Sequence, residues 1–499
     1  MQIINLTYAD SYYILKRHKV KGAGKMNFLT SIYEAILKAV SFVYGLLWGD
    51  LFFIPLPGGN RLGISLLVMI LIPAGIFFTI RTKLLPIRCF PEMLRISTQK
   101  KASDEKHSLS GWQALIVSTA TRVGMGNMAG VVAAVSVGGP GAVFWMWVTA
   151  LIGMSTAFVE ATLAQMHREK DPLYGGFRGG PAYYIQAFFG KAKKHKNLIA
   201  VFFALSGLLC WCGVSQVISN SVTSAFKHAF GVPPIWTTIV LVVLAAVIVL
   251  RKHATVKVLD IIVPIMASLY FIIAIVTIVM NANLLPGMFR RIFEEAFGLR
   301  QMAAGGFGAA LMNGVQRGLF SNEAGSGSAP CAAAAADVDH PAKAGLLQAF
   351  GVFIDTIIIC SCTAFIMLLA PEDVAGGLSG MPLLQAAMNH HFGYIGVVFT
   401  AVTLFLFCFS TFIGILYYAR SNVAFLFGDT WKAQTIYKLV ALVMLFIGGL
   451  AAYTFVWDIG DIGVALMTVF NMICIIPMSG RAVKSLNEYL AMRRTEKNK

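Results

Sequence analysis

Long apolar runs separated by short polar connections make up most of this sequence. A membrane-spanning helix needs about 20 mainly apolar residues, and by that rule the pattern predicts about eleven spans. The predicted spans are residues 62–80, 109–137, 141–166, 198–222, 235–250, 258–280, 303–336, 346–369, 394–418, 436–453 and 462–477. Because these runs do not alternate as barrel strands do, and because lipid cannot satisfy exposed peptide groups, we predict an all-α polytopic membrane protein.

Ahead of the first span, residues 28–53 are apolar but include Glu34 and Lys38 and lead into Pro55 and Pro57. These charges and prolines predict a helix that lies in the membrane interface. A twelfth span is the alternative.

Two predicted spans carry glycine and polar residues at mid-membrane depth. The second contains RVGMGN at 122–127, and the seventh contains a longer polar run at 313–328. Glycine disfavours a helix by about 1 kcal/mol relative to alanine, and unwound backbone is tolerated in a bilayer only beside protein or a water-filled cavity. Helices broken in this way bind Na⁺ with carbonyl oxygens and carboxylates with half-helix N-termini.

Close helix packing is the other explanation for these glycines. Packing alone would not require Gln316, Arg317, Asn322 and Glu323 within one span, so the seventh span favours a transport site.

The two breaks fall in the first span of each of two consecutive five-span blocks. Five is odd, so the two blocks enter the membrane from opposite sides, as an inverted repeat requires. We therefore predict a five-plus-five inverted repeat with two broken helices. The predicted division is an N-terminal extension with the interfacial helix (1–61), a first transmembrane helix (62–80), two five-helix repeats (109–280 and 301–480) and a cytoplasmic tail (481–499).

Composition supports a membrane protein. Hydrophobic residues make up 57% of the chain and charged residues 13%, and the mean hydropathy is +0.73, which is more apolar surface than a soluble core of this size could bury. The net charge of +17 could indicate nucleic acid, but the basic residues lie in short segments between apolar runs. Their concentration in alternate connections predicts a cytoplasmic C-terminus.

The N-terminal residues depart from this charge bias, because five basic residues precede Met26. Either Met1 or Met26 is therefore a candidate start, and we expect no cleaved signal peptide. The eight cysteines lie in apolar surroundings that predict packing rather than metal binding or disulfides.

An enzyme and a channel are the two other classes of function that a membrane protein of this kind could have. An enzyme would need a clustered acid, base, nucleophile or metal site, and the nine histidines are scattered, so we predict no enzyme and no cofactor. A channel would need a filter or a ring of charge along a pore.

Five segments resemble one family of transporters. They read TRVGMGNMAGVVAA at 121–134, GGPGAVFWMWVTALIG at 138–153, RGGPAYYI at 178–185, RGLFSNEAGSGSAPCAAAAA at 317–336 and GVFIDTIIIC at 351–360. In sequence and order they resemble the alanine/glycine:cation symporter family, also called sodium:alanine symporters. The resemblance covers most of the chain from about Leu62 onward.

The resemblance implies a leucine-transporter-like fold in the plasma membrane, the inner membrane of a bacterium. It implies import of a small neutral amino acid such as alanine or glycine with Na⁺ as the co-transported ion. A carrier of the same fold that is coupled to H⁺ or prefers glutamine is the alternative. The enantiomer of the cargo, the coupling stoichiometry and the oligomeric state stay open.

The resemblance also implies site residues. The expected substrate-binding residues are Gly124, Gly126, Asn127, Gln216, Gly318, Ser321 and Asn322. The expected Na⁺ ligands come from Thr121, Ser410 and Thr411. Gln216 could instead link two helices, and the hydroxyls of Ser410 and Thr411 could bond to their own helix.

Ionisable groups inside a membrane are expensive and usually paired, so those in the spans are candidate gates or proton carriers. They are Arg122, Glu160, Arg317, Glu323 and Asp355. Structural gating is the expected role of the two arginines, and Glu323 or Asp355 is the candidate proton carrier. Met125 departs from the family pattern, which more often has a small hydroxyl residue there, so that hydroxyl ligand is missing.

Overall fold

The structure is a computed structural model that describes residues 26–55, 61–99, 110–190, 195–251, 255–298, 306–375, 378 and 380–497. The question of the start residue therefore lies outside the described residues. Helix α1 (Met26–Trp48) corresponds to the predicted interfacial helix. It ends before residue 53, because the chain turns into an antiparallel hairpin of β1 (Phe52–Pro55) and β2 (Arg61–Ile64) that the apolar pattern did not reveal.

Three helices precede the repeats. These are α2 (Leu66–Arg81), α3 (Leu85–Arg88) and α4 (Phe90–Ser97). The Ser65 hydroxyl caps α2 by accepting a hydrogen bond from the backbone N–H of Val68.

The first repeat begins with a helix in two parts. Helix α5 (Gly111–Arg122) starts at a capping box of Ser110 and Gln113, and α6 (Val131–Gly138) follows a π-helical segment, Gly126–Gly130. The remaining elements are α7 (Gly141–Met166), the strands β3 (Glu169–Lys170) and β4 (Phe177–Arg178), α8 (Pro181–Phe189), α9 (Leu198–Phe230), α10 (Pro234–Val249) and α11 (Thr255–Met280).

A 3₁₀ turn (Ala282–Leu284) and the amphipathic helix α12 (Leu285–Ala296) connect the repeats. The second repeat also begins with a helix in two parts, α13 (Gly306–Asn322) and α14 (Pro330–Ala335). Its remaining elements are α15 (Pro341–Val352), a π-helical segment (Phe353–Cys360), α16 (Ser361–Leu368), a 3₁₀ turn (Glu372–Ala375), α17 (Met381–Phe392), α18 (Tyr394–Phe427), α19 (Trp431–Gly448) and α20 (Tyr453–Lys497).

The two repeats share an order of elements. Each starts with a broken helix. Each also has a short helix, α8 or α17, directly before a helix of more than 30 residues, α9 or α18. The prediction of two broken helices is confirmed. Within the described residues, seven helices are long and apolar enough to cross a membrane and three more apolar helices are shorter, so the count of eleven spans stays a prediction.

Long helices pack closely around the centre. Helix α9 packs against α18, α19 and α20, while α7 packs against α13 and α15. Glycine allows the first group to approach backbone to backbone, because a Cβ on Gly213 would lie 2.9 Å from the Gly460 nitrogen and one on Gly463 would lie 2.6 Å from the Cβ of Cys210. The two groups of helices meet at the broken helices. The end of the bundle at which α20 ends is called the tail end.

Candidate functional site

The first break lies directly after α5. The Gly124 N–H donates to the Arg122 carbonyl at 2.8 Å instead of continuing the helical ladder. The Asn127 Oδ1 accepts a second hydrogen bond from the same N–H at 2.8 Å. The helix then resumes in the wider π form at Gly126, so the regular α-helix is interrupted at residues 123 and 124.

The second break lies between α13 and α14. Residues 323–329 are irregular, and two glycines there have φ values that side chains rarely adopt, Gly325 at 94° and Gly327 at 83°. Glu323 adopts a φ of 57° without being glycine. The Asn322 Oδ1 caps the turn by accepting from the Ala324 N–H at 3.0 Å.

The two breaks face each other. A Cβ on Gly126 would lie 3.0 Å from the Cα of Ser321, so the backbones of the two broken helices are in direct contact. Asp355, in the second π-helical segment, joins them from behind. It accepts hydrogen bonds from the Asn127 Nδ2 at 2.7 Å and from the Ser321 Oγ at 3.1 Å.

A cavity with a volume of about 30 Å³ lies between the breaks and the helices α9, α18 and α20. It is lined by Thr121, Met125, Gly126, Cys210, Trp211, Val214, Phe320, Glu323, Ser326, Ser328, Thr411, Ile415, Val464 and Met467. That volume has room for about two water molecules, so an amino acid would enter only if the walls move apart.

Four of the predicted site residues line this cavity: Thr121, Gly126, Glu323 and Thr411. Thr121 links its walls, because its hydroxyl is 2.5 Å from the Tyr418 hydroxyl and 3.5 Å from Glu323 Oε2. Oxygen atoms from both broken helices and from α18 thus meet at one point.

Oxygen atoms also gather beside the first break on the α18 side. The hydroxyls of Ser410 and Thr411 lie 3.4 Å and 3.5 Å from the Ala120 carbonyl oxygen. Both hydroxyls also donate to the Phe407 carbonyl of their own helix at 2.9 Å. The hydrogen bond to the helix therefore still leaves each hydroxyl oxygen near the Ala120 carbonyl, where Na⁺ could bind. A hard cation prefers oxygen ligands of this kind.

Three predicted substrate residues lie away from the cavity. The Gln216 amide donates to Met444 Sδ at 3.5 Å, because α9 turns this side chain toward α19. A Cβ on Gly318 would meet the Thr149 hydroxyl of α7, and Asn322 borders a separate small cavity between α2, α7 and α13. None of these three residues lines the cavity in this structure, so their contact with cargo stays a prediction.

Asn127 and Ser321 lie beside the cavity but direct their side chains to Asp355. Gly124 lies behind the cavity wall, where a Cβ would meet the Thr411 hydroxyl. These residues shape the breaks rather than line the cavity.

The charged candidates occupy different positions. Arg122 is fully buried and donates to Gln348 at 3.1 Å, and Glu160 accepts from the Gly325 N–H at 3.2 Å and from Asn471 at 2.9 Å. Glu160 and Asn471 thereby hold the backbone of the second break.

Arg317 forms a buried ion pair with Asp461 of α20, with two hydrogen bonds of 3.0 Å and 2.7 Å. Its guanidinium lies 4.5 Å from the centre of the Trp457 ring, which in turn packs against Phe320 of the cavity wall. Together, these four side chains cover the cavity on the side away from the tail end.

At the tail end, Arg178 pairs with Asp429, and Arg420 lies 3.9 Å from Asp171 while packing on the Tyr417 ring. The cavity therefore lies between two layers of ion pairs.

Sequence reasoning missed several cavity residues. Trp211, Phe320, Val464 and Met467 are apolar residues in apolar helices, and nothing in a single sequence separates them from core residues. Asp461 could have been found, because it is a carboxylate at the edge of a predicted span and Arg317 needed a partner.

Residues 59–499 match the family model described as the sodium:alanine symporter family. The chain is 41% identical to the "Probable sodium/glutamine symporter GlnT" of Bacillus subtilis (strain 168), over 87% of this chain and 90% of that protein. It is 43% identical to the "Amino-acid carrier protein AlsT" of the same organism, over 86% of this chain and 90% of that protein.

Among solved structures, the chain is similar to MhsT in complex with L-phenylalanine. The TM-score is 0.53 at 13% identity, covering 76% of this chain and 89% of that chain, which shows a shared leucine-transporter-like fold. The chain is a multi-pass membrane protein, and it belongs to the sodium:alanine symporter family.

Proposed function

We propose that this protein is a secondary active symporter that imports a small neutral amino acid, of the alanine or glycine type, together with Na⁺. The observation that carries the proposal is the contact between Gly126 and Ser321 at the edge of a cavity between the two breaks. Two broken helices that meet around a cavity provide both the carbonyl oxygens and the helix N-termini that cation and zwitterion require.

The cargo carboxylate would bind at the N-terminal end of the π-helical segment that starts at Gly126. Backbone N–H groups and the positive end of the helix dipole favour an anion there, and Gly126 offers no side chain to obstruct it. Gly124, Asn127 and Ser321 support this end by positioning, because Asn127 bonds to Gly124 and Asp355 holds both Asn127 and Ser321.

Na⁺ would bind between the Ala120 carbonyl and the hydroxyls of Ser410 and Thr411, with Thr121 on the cavity side. A cation there would join α5 to α18 and so couple the first break to the opposite wall. Cation binding would thereby favour the arrangement that accepts cargo.

Alternating access would follow from opening one layer of ion pairs at a time. The Arg317–Asp461 pair closes the side away from the tail end, and the Arg178–Asp429 pair closes the tail end. One group of helices would tilt against the other around the fixed cavity.

The cavity wall supports a small side chain as cargo. Met125, Trp211 and Phe320 fill space beside the breaks with bulky side chains, which leave little room for a long cargo side chain. One relative is named a probable sodium/glutamine symporter, so a glutamine-preferring carrier is the alternative, as is coupling to H⁺ through Glu323 or Asp355.

We place the protein in the plasma membrane, the inner membrane of a bacterium, with the tail end in the cytoplasm. The concentration of basic residues in alternate connections supports that orientation.

Uptake by proteoliposomes tests the proposal. We expect labelled alanine to accumulate when Na⁺ is higher outside, to saturate with alanine, and to stop when the Na⁺ gradient is collapsed. Unlabelled glycine should compete more strongly than glutamine. Uptake that survives the collapse of both the Na⁺ and the H⁺ gradients would contradict coupling, and flux that does not saturate would favour a channel.

A further inference from the structure

Glu323 differs from Glu160, Asp355 and Asp461, the other carboxylates that contact a broken helix, in where it points. Asp461 is paired with Arg317, Asp355 bonds to Asn127 and Ser321, and Glu160 bonds to backbone. Glu323 instead lines the central cavity and is half-buried there.

The backbone is strained so that Glu323 reaches this position. Its φ of 57° lies in the left-handed region, which costs energy for any residue with a Cβ. A glycine would adopt that conformation without strain, and glycines already occupy 325 and 327 in the same break. Strain that a neighbouring glycine would have avoided indicates a requirement for this side chain.

The partners of Glu323 leave its charge uncompensated at close range. Glu323 Oε2 accepts hydrogen bonds from the Ser328 hydroxyl at 2.9 Å and the Thr121 hydroxyl at 3.5 Å. Among the residues that the structure describes, no Lys, Arg or His nitrogen lies within 4.0 Å of it, although Arg122 acts on it from farther away. Hydroxyls orient a carboxylate but do not neutralise it.

We propose that the Glu323 carboxylate is the counter-ion of the cargo's ammonium group. The inference rests on the proposed function and adds to it. The cargo carboxylate binds at the Gly126 end, and the ammonium binds at the opposite break between Glu323 and the Thr121 and Ser328 hydroxyls. Na⁺ has its own oxygen ligands beside Ala120, so the cargo supplies the cation that Glu323 lacks.

The proposed role of Glu323 predicts a requirement for cargo that is independent of side-chain size. A molecule must carry a free ammonium group, so lactate, which has a hydroxyl in that place, and N-acetylalanine do not bind. Competition against labelled alanine on the wild-type protein tests this rule. Lactate or N-acetylalanine competing as well as unlabelled alanine would overturn the inference.

Variants at position 323 distinguish three roles of this carboxylate: counter-ion of the ammonium group, Na⁺ ligand and proton carrier. Removing one partner of a buried charge pair costs enough that Glu323→Gln should raise the KM for alanine by at least about 30-fold. Glu323→Asp, which keeps the charge, should raise it less. Glu294→Gln, the same change on α12 far from the cavity, is the control for the loss of a carboxylate.

Na⁺ binding is measured separately, as Na⁺-dependent thermal stabilisation of the purified protein without alanine. The Na⁺ concentration for half-maximal stabilisation should be the same in the wild type and Glu323→Gln. A large shift would make Glu323 a Na⁺ ligand, and loss of the pH dependence of uptake with unchanged alanine KM would make it a proton carrier. Either result overturns the inference while leaving symport intact.

A third result separates this inference from the proposed function. If the wild type accumulates alanine with Na⁺ and Glu323→Gln binds alanine equally well, only the role of Glu323 is wrong. If the wild type accumulates no amino acid, the proposed function fails and this inference fails with it.

Discussion

At the scale of single residues, Gly126 is the position where the two broken helices touch. An added methyl group would lie 3.0 Å from the Ser321 Cα and 3.5 Å from the Phe320 carbonyl oxygen, both backbone atoms that cannot move aside cheaply. Overpacking costs about 1–3 kcal/mol, so Gly126→Ala should slow alanine uptake by roughly tenfold or more. Initial rates in proteoliposomes, normalised to inserted protein, measure this.

Gly130 is the matched control, because it lies in the same π-helical segment and a Cβ there would meet no heavy atom of the described chain within 4 Å. Gly130→Ala should keep uptake near the wild-type rate. An equal loss in both variants would indicate a general effect on the segment rather than contact between the breaks.

A second residue-scale prediction concerns the Na⁺ ligands. Thr411→Ala removes a hydroxyl that lies 3.5 Å from the Ala120 carbonyl, and one lost ligand of about 1 kcal/mol should raise the Na⁺ concentration for half-maximal uptake by roughly fivefold. Thr400→Ala removes a buried hydroxyl of the same helix that bonds only to the Gly396 carbonyl in the described contacts, and should leave Na⁺ dependence unchanged. Equal shifts would argue against a Na⁺ site here.

At the scale of elements, the Arg317–Asp461 pair ties α13 to α20. Asp461→Asn leaves a buried guanidinium without its counter-ion, which costs about 3–5 kcal/mol, so the thermal unfolding temperature in detergent should fall. The double variant Arg317→Gln with Asp461→Asn should recover part of that loss, since no uncompensated charge remains. Additive losses would mean that the two side chains contribute independently.

The broken helices could be predicted because their signal is local. Glycine and polar residues clustered at 122–127 and 313–328, and both clusters prove to be breaks. The π-helical form of Phe353–Cys360 could not be predicted, because its sequence, FIDTIIIC, has no glycine or proline to mark a departure from the α-helix. The neighbour of Gln216 could not be predicted for a related reason, since a polar residue can lie on any face of a helix and only packing shows which side chain it contacts.

At the scale of the whole molecule, the apolar pattern predicted the order of the long helices and the position of the breaks within two repeats, but not the short helices and hairpins between them. It underestimated lengths, because α9 continues to Phe230 and α20 to Lys497, beyond the apolar runs that marked them. Polar ends of a helix resemble loops in a hydropathy pattern. The cavity wall could not be predicted, since it joins apolar residues from five helices that are distant in sequence.

The orientation of the whole molecule gives a further prediction. Basic residues concentrate at the tail end, so a fluorescent protein fused after Lys499 should fluoresce in the cytoplasm of living cells. Alkaline phosphatase fused after Met280, where α11 ends at the opposite side, should be active outside the cytoplasm. The reverse pattern would invert the topology and assign each layer of ion pairs to the other side of the membrane.

The glycine contacts of α9 with α20 have a mechanical meaning. At Gly213 and Gly463 the backbones of the two helices approach closely, so we expect the two helices to move together. We therefore expect α9 and α20 to form a rigid pair. The broken helices α5 and α13 would then move relative to this pair during the transport cycle. Spectroscopic labels at exposed positions of α9 and α20 should therefore keep a constant separation through the cycle. They provide a fixed reference from which the movement of α5 and α13 can be measured.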